Sequence, residues 1–365
     1  MPVLFICILC AYIGGNVYVF IRGLQAVDHF PPVIKWVYCI LFWSCALSIT
    51  LVFTLRNAKI AVNWLHILSS VGTGWLIFTL YMVLMLLCFD LLRVFSIFVP
   101  YSFFICLLLT ICISGYGYYR YQHPDTQVID IAIDKPSANG VYSLKVVAFS
   151  DVHLGTGTTE KQLRKYVQMI NAQQPDVIII SGDLIDNSIS SVRNQHMEES
   201  LSTLQAPSGI YMVPGNHEYI SGIDDCIEFI STETPVCLLR DSVVTLPCGI
   251  QLAGRDDRSN HKRKKTSELL AQTNPDDPII LLDHQPYELS SSVEAGVDLL
   301  FCGHTHNGQV WPVNHLTKWL FEVSYGYVKR NRTNIYVSSG LSLWGPPFRI
   351  GTSSEMVVFN ISLKH

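Results

Sequence analysis

Leu-Leu-Phe-Cys-Gly-His-Thr-His-Asn-Gly-Gln, at residues 299–309, is an apolar run that ends in two histidines one residue apart. A short apolar run rich in large side chains predicts a buried strand. Gly303 and Gly308 bracket a tight turn around His304 and His306. A strand end followed by such a turn can aim two imidazoles at one point. A single His-x-His pair also fits two ordinary loop histidines, so its meaning depends on the rest of the chain.

Four other segments have the same form, an apolar run that predicts a strand followed by side chains that bind metals. The runs cover residues 145–150, 177–180, 210–213 and 278–282, and they lead into Asp151 and His153, Asp183, Asn216 and His217, and Asp283 and His284. Helical periodicity at residues 159–172 and 194–204 predicts helices between the strands, an α/β pattern with its site at the strand ends. Each polar residue taken singly also fits a helix cap, a turn or an interior hydrogen bond.

The first third of the chain is predicted to cross a membrane. Only eight charged residues lie in the first 120 positions, against 46 in the remaining 245. Four apolar stretches, at residues 3–21, 36–55, 68–88 and 97–118, each approach the ~20 residues of a spanning helix. The alternatives are a signal peptide for the first stretch and buried core helices for all four. The spans carry no central charge, and we expect no buried polar residue in them, which favours an anchor over a transporter.

The sequence predicts three regions: a four-span membrane region at 1–120, a linker with an edge strand at 121–144, and a catalytic domain at 145–365. Basic residues flanking the spans divide three against three, so they do not set the orientation. The four cysteines outside the membrane region are Cys226, Cys237, Cys248 and Cys302, and they show no disulfide or zinc spacing. This favours a reducing compartment, with the catalytic domain on the cytoplasmic side.

Charge limits the partners. Residues 121–365 contain 19 basic and 27 acidic residues, which argues against nucleic acid as a ligand because phosphate backbones need a basic face. The one basic cluster, residues 262–265, is interpreted as a solvated helix start, with contact to anionic lipid headgroups as the alternative. The lipid bilayer is therefore the predicted partner, and the sequence predicts no protein partner.

Together these segments resemble the five motifs of the calcineurin-like metallophosphoesterases. The matching motifs are Asp151-Val-His153, Gly182-Asp183, Gly215-Asn-His-Glu218, His284 and Gly303-His-Thr-His306. The resemblance covers about residues 145–362 and is closest to the membrane-associated bacterial branch with Gly-Asn-His-Glu and Gly-His-Thr-His-Gly-Gln. One departure is Asn307, where that branch usually has Gly. The resemblance implies an αββα sandwich of two mixed sheets behind an all-α four-helix transmembrane bundle.

The resemblance also implies a ligand set. Two metal ions would be bridged by Asp183 and a water-derived hydroxide, with Asp151, His153 and His306 completing one site and Asn216, His284 and His304 the other. Mixed Asp, Asn and His donors suit Mn²⁺, Fe or Zn²⁺ better than Mg²⁺, and Mn²⁺ is our first expectation. His217 would lie near the leaving group as a proton donor. Glu218 and Asp283 would support the ligands, and Arg255 and Arg349 would contact phosphate or form salt bridges.

The resulting hypothesis is a membrane-anchored phosphoesterase that cleaves a phosphodiester or pyrophosphate bond. Its substrate would be a phospholipid or a nucleotide-linked glycolipid, with a soluble nucleotide or cyclic nucleotide as the alternative. The competing class is a non-catalytic membrane sensor or scaffold that binds a phosphorylated ligand. The complete motif set, including His217, favours the enzyme.

Overall fold

The computed structural model describes residues 2–55, 62–136 and 140–364. The chain divides into two compact units. One comprises residues 1–119 together with 345–348, and the other comprises residues 120–344 together with 349–365.

The first unit is built from four long apolar helices. They are α1 (Pro2–Ala26), α2 (Pro32–Leu55), α3 (Val62–Val94) and α4 (Ser102–Gln122), the last of which continues into the second unit. Each contains a stretch of 21 to 28 residues that is long and apolar enough to cross a bilayer. The predicted set of four apolar helices is confirmed.

A polar cluster links α1 to α3, contrary to the expectation that the spans bury no polar residue. Asn16 is 2% exposed, and its amide oxygen accepts hydrogen bonds from Trp75 (2.8 Å) and Thr79 (3.3 Å). Its amide nitrogen donates to the carbonyl of Tyr12 at 2.9 Å. A polar side chain in hydrocarbon needs such partners. The expectation was wrong because composition shows which residues a span contains but not which helix face they occupy.

The second unit contains two six-stranded mixed sheets. The first has the order β1-β12-β2-β3-β4-β5 and the second the order β10-β11-β9-β8-β7-β6. The strands of the first sheet are β1 (Asp125–Pro136), β2 (Ser143–Phe149), β3 (Val177–Ser181), β4 (Ile210–Val213), β5 (Val236–Leu238) and β12 (Glu355–Lys364). Those of the second are β6 (Ser242–Thr245), β7 (Gln251–Gly254), β8 (Ile279–Leu282), β9 (Leu299–Cys302), β10 (Gly326–Arg330) and β11 (Thr333–Val337).

Helices lie between the strands of the second unit, and most of them cover the outer faces of the two sheets. They are α5 (Glu160–Asn171), α6 (Ile189–Arg193), α7 (Met197–Leu201), α8 (Asn216–Ser221), α9 (Ile223–Glu233), α10 (Thr266–Leu270), α11 (Leu289–Glu294) and α12 (Val313–Leu320). The predicted apolar stripe of α5, Leu163, Val167 and Ile170, is buried against the first sheet. The helix predicted at 194–204 is present but shorter, because α7 begins only after His196, which adopts a left-handed conformation (φ 52°), and ends at Leu201.

Three apolar cores separate the layers. Val146 and Val213 of the first sheet pack with Leu282 and Phe301 of the second, so one core lies between the sheets. A second core joins the outer face of the first sheet to α5 and α9, and a third joins the second sheet to α10 and α11. The order of layers is α, β, β, α, and the predicted sandwich is confirmed. Strands buried on both faces explain why their sequences are continuous apolar runs.

Parallel pairing brings the polar strand ends together. β2, β3 and β4 are mutually parallel neighbours in the first sheet, as are β7, β8 and β9 in the second. The carboxyl ends of parallel strands lie at the same edge of a sheet, so the residues that follow these strands meet there.

A buried ion pair ties the two sheets together away from that edge. Lys135 of β1 donates to Asp298, which precedes β9, at 2.6 Å and to the carbonyl of Asp277 at 2.8 Å. The two charged side chains are only 10% and 5% exposed. Removing one partner of a buried pair leaves an uncompensated charge in the interior.

We therefore expect Lys135→Met to destabilise the chain by about 3 kcal/mol. Thermal unfolding of the detergent-solubilised protein should show a midpoint lower by about 10 °C. The matched control is Lys364→Met on β12, whose ion pair with Asp134 is largely exposed and should contribute little. Equal midpoints for the two variants would contradict a structural role for the buried pair.

Candidate metal centre

All seven predicted ligands lie in one cluster at the shared edge of the two sheets. Asp151 and His153 follow β2, Asp183 follows β3, Asn216 follows β4, His284 follows β8, and His304 and His306 follow β9. Their side chains form two groups of nitrogen and oxygen atoms that face one another. The geometry follows from the topology, because five separate strands end at this edge.

The first group consists of Asp151, His153 and His306. The Nε2 atoms of the two histidines are 3.2 Å apart. Asp151 Oδ1 lies 3.4 Å from His306 Nε2 and 3.9 Å from His153 Nε2. One ligand atom from each of the three residues lies within 4.8 Å of the other two, the spacing of a shared cation.

The second group consists of Asp183, His284 and His304, with Asn216 beside them. His284 Nε2 lies 3.1 Å from Asp183 Oδ2 and 3.2 Å from Asn216 Oδ1. His284 Nδ1 is 2.7 Å from the carbonyl of Ser181, so that carbonyl accepts the Nδ1 proton and leaves Nε2 as the ligand atom.

Asp183 faces both groups. Its Oδ2 atom is 3.1 Å from His284 and also 3.9 Å from His153 Nε2 in the first group. Its Oδ1 atom accepts a hydrogen bond from the backbone N–H of His217 at 2.8 Å. The carboxylate is therefore the one ligand of the described cluster placed to serve two neighbouring cations.

Burial and charge prepare the cluster for a cation. Burial lowers the pKa of His153 and of His304 to about 4, and it also lowers the pKa of His306, so these imidazoles are neutral near pH 7. Burial alone would raise the pKa of Asp183, but His284 and His153 outweigh it and hold the pKa below its usual range. These are the protonation states that metals require. His284 differs, since burial would lower its pKa but the adjacent Asp183 outweighs that effect and raises it, so a cation binding at its Nε2 atom would displace a proton.

Five of the ligands have left-handed backbone. The φ angles of Asp151, His153, Asp183, His304 and His306 lie between 49° and 74°. Residues other than glycine rarely adopt such angles, which cluster at functional sites. Two glycines allow the ligands to approach, since a Cβ at Gly303 would collide with the Asp151 carboxylate and one at Gly215 with that of Asp183.

His217 has a carboxylate partner that the sequence analysis missed. Its Nδ1 atom is 2.8 Å from Asp186 Oδ1, and its ring packs edge-on against that of His153 at 4.6 Å. Burial alone would lower the pKa of His217, but Asp186 and Asp183 outweigh it and raise the pKa. The sequence did offer a signal for this contact: Asp186 is only three residues after the predicted ligand Asp183, so it had to lie close to the site.

Glu218 holds the site's backbone in place. Its Oε2 atom accepts the N–H groups of Asp183 (3.0 Å) and Gly215 (2.7 Å), and its Oε1 atom accepts that of Ile185 (2.9 Å). The side chain is fully buried. Burial and the neighbouring Asp183 raise the pKa of Glu218 to about 7. The carboxylate thus joins the loops that follow β3 and β4.

Asp283 is engaged by two arginines. Arg255 donates to it at 2.9 Å and Arg263 at 3.1 Å, and all three side chains are less than 10% exposed. Burial raises the pKa of Asp283, and the arginines oppose that effect. Arg263 belongs to the basic cluster at 262–265, so the interpretation of that cluster as a solvated helix start is wrong for this residue.

Arg255 and Arg349 are not placed as phosphate contacts. Arg349 is fully buried and donates to the carbonyls of His306 (2.7 Å), Ser339 (2.5 Å) and Ser342 (2.8 Å). Arg255 is 4% exposed and is paired with Asp283. A phosphate contact does not fit, because the donor groups of both guanidinium ions are already occupied by the protein. The salt-bridge alternative fits Arg255, although its pair with Asp283 is buried. Arg349 instead fixes the backbone that carries His306.

A family sequence model and individual relatives both identify the chain with the calcineurin-like phosphoesterases. The sequence model of the calcineurin-like phosphoesterase family matches residues 144–308. An uncharacterized metallophosphoesterase of Helicobacter pylori is 33% identical over 278 residues, covering 73% of this chain and 71% of that protein.

Two further relatives match different shares of this chain. An uncharacterized metallophosphoesterase of Campylobacter jejuni is 29% identical over 96% of both chains. A transmembrane protein with metallophosphoesterase domain from Bos taurus is 32% identical, covering 64% of this chain and 56% of that protein.

Replacing Glu218 by Gln should destabilise the site. One amide can offer only one oxygen, so at least one backbone N–H loses its acceptor and faces an NH₂ group, at a cost of about 1–3 kcal/mol. The thermal midpoint and the bound metal per chain should both fall. The matched control is Glu233→Gln, which alters a half-exposed pair with Arg193. Unchanged metal content in Glu218→Gln would show that these three hydrogen bonds do not position the ligands.

Proposed function

Because the chain belongs to the calcineurin-like metallophosphoesterase family, we propose that it is a membrane-anchored two-metal phosphoesterase that hydrolyses a phosphodiester or pyrophosphate bond. One observation carries the proposal. Two groups of donor atoms share the single carboxylate of Asp183, which is the arrangement that two-metal phosphoryl transfer needs.

The donor set fits two divalent ions. The residues that would hold them are Asp151, His153 and His306 for one ion, Asn216, His284 and His304 for the other, and Asp183 for both. When bound, the ions supply charge that neutralises phosphoryl oxygens and lowers the pKa of water. Nitrogen and oxygen donors without a thiolate favour Mn²⁺, Fe or Zn²⁺, and Mn²⁺ is the ion we would test first.

His217 is the residue we assign to the leaving group. The hydrogen bond to Asp186 occupies its Nδ1 atom, so Nε2 is the ring atom that can exchange a proton with a bound substrate. The hydrogen bond to the carboxylate of Asp186 raises the pKa of His217 and so favours the protonated imidazole. A protonated imidazole held in one orientation can donate to the departing oxygen as that oxygen gains negative charge.

The membrane helices indicate which class of substrate the catalytic domain meets. A catalytic domain attached to a bilayer meets molecules of that bilayer at high local concentration. A phospholipid or a nucleotide-linked glycolipid is therefore the substrate class we propose. The eleven cysteines are free thiols, which supports the cytoplasmic side for the catalytic domain.

Hydrolysis of bis-p-nitrophenyl phosphate by the detergent-purified chain tests the reaction. Turnover should require added Mn²⁺, stop with EDTA, and be lost in Asp183→Ala, since that change removes a ligand from both groups. The matched control is Asp134→Ala, which removes a carboxylate that is 87% exposed. A protein that binds metal but shows no turnover with any divalent ion would favour the sensor hypothesis instead.

The effect of His217→Ala should depend on the leaving group. An alkyl phosphodiester leaves as a strongly basic alkoxide, so its turnover should fall by about 10²–10⁴-fold, the usual contribution of a general acid. The fall should be smaller for p-nitrophenolate, which needs no proton. Metal content should stay near that of the unmodified chain.

Kinetics on both esters and metal analysis check this assignment, with the exposed His261→Ala as the control. An equal loss on both esters would contradict a proton-donor role. Metal loss as large as in Asp183→Ala would instead make His217 part of the metal-binding set.

A further inference from the structure

The helix α12 presents its apolar side to solvent. Val313, Leu316, Trp319 and Leu320 are 37%, 47%, 80% and 54% exposed. At 100° per residue these four side chains share one arc of about 120°. None of the helix's residues is buried, although half of them are large and apolar.

The opposite side of α12 is polar and faces the protein. Asn314 and Thr317 are the half-buried residues of the helix, and they lie across the axis from Trp319. The backbone of Asn314 packs against Gly308, in the turn that carries His306. A surface helix of a globular protein normally buries its apolar arc and exposes its polar one. The polarity of α12 is inverted, which calls for an apolar environment outside the protein.

The exposed apolar surface flanks the candidate metal centre. Phe321, directly after α12, packs against the ring of His304 at 6.0 Å and against Tyr287 at 5.2 Å. Trp344, which is 55% exposed, packs against the ring of His217 at 5.7 Å. Large aromatic side chains therefore stand beside both a proposed metal ligand and the proposed proton donor.

We propose that α12 lies in the interfacial layer of the bilayer, with Leu316, Trp319 and Leu320 inserted below the lipid headgroups. Tryptophan is enriched in this layer, and a short amphipathic helix that binds there buries its apolar face about 5–10 Å deep. The four apolar helices of the same chain keep a bilayer within reach, so few inserted side chains are enough.

The size of the surface favours lipid over a protein partner. Four exposed side chains on a two-turn helix are far fewer than the roughly 20–30 residues that each side of a stable protein interface uses. The four are also uncharged, which suits the hydrocarbon boundary. The consequence for catalysis rests on the proposed function: the metal centre would open next to the headgroup layer, where the phosphoester of a lipid lies.

The fluorescence of Trp319 can show whether its side chain lies in lipid or in water. The full chain would be placed in nanodiscs of phosphatidylcholine brominated near the carbonyl end of the acyl chains, and in unbrominated nanodiscs as the reference. The chain has seven tryptophans, so the emission of Trp319 is obtained as the difference between the unmodified chain and Trp319→Phe. We expect the brominated lipid to quench most of this difference emission and aqueous iodide to leave it nearly unchanged.

Two carboxylate substitutions on the same helix provide the matched comparison. Leu316→Glu places a charge on the apolar arc and should move Trp319 towards iodide quenching and away from bromine quenching. Lys318→Glu places the same charge on the polar side and should change neither.

Other quenching results would show that α12 lies in water or against a second protein chain. Quenching of Trp319 by iodide and not by bromine would overturn the proposal and leave α12 in water. Protection from both quenchers, confined to nanodiscs that hold two copies, would overturn it in favour of contact with a second chain. None of these readouts involves turnover, whereas bis-p-nitrophenyl phosphate hydrolysis involves no lipid, so a failure of this inference is distinguishable from a failure of the proposed function.

Discussion

The three backbone hydrogen bonds accepted by Glu218 are the constraint on which the site depends. They join the loop after β3 to the loop after β4, and so they fix the direction in which Asp183 leaves the sheet. Asp183 in turn sets the distance between the two donor groups, since its carboxylate faces both. A buried carboxylate whose acceptor sites are occupied by backbone donors is a rigid element, because every alternative position would leave an N–H group unpaired.

Rigidity of this kind explains how unfavourable backbone persists. Each left-handed residue other than glycine costs on the order of 1 kcal/mol, and five of the proposed ligands adopt this conformation. The two sheets offset that cost through a continuous apolar core, and Arg349 adds hydrogen bonds to the carbonyls around His306. The candidate metal centre is thus a strained edge on a well-packed sandwich, and the apolar core and Arg349, which are not among the proposed ligands, supply the stabilising free energy.

The family resemblance implied the layers, and the sequence predicted the ligands at the strand ends because these follow from local patterns. Each proposed ligand lies just after an apolar run, and parallel strands place such residues at one edge. What the sequence did not predict depends on long-range packing. Asp186 acts through a contact with His217, 31 residues away, and the burial of Arg349 and Asn16 is a property of the neighbours that surround them. The later start of α7 was missed because the left-handed conformation of His196 leaves the apolar periodicity after it intact.

The four apolar helices also restrict the diffusion of the chain to the two dimensions of a membrane. A domain that shares its chain with membrane-spanning helices diffuses with them in a plane, so its encounters with other membrane components depend on their number per unit area. Doubling the cell volume at fixed membrane composition would leave that rate unchanged, whereas doubling the membrane area at fixed copy number would halve it. Lipid supply and membrane growth therefore act on this protein as concentration acts on a freely diffusing one.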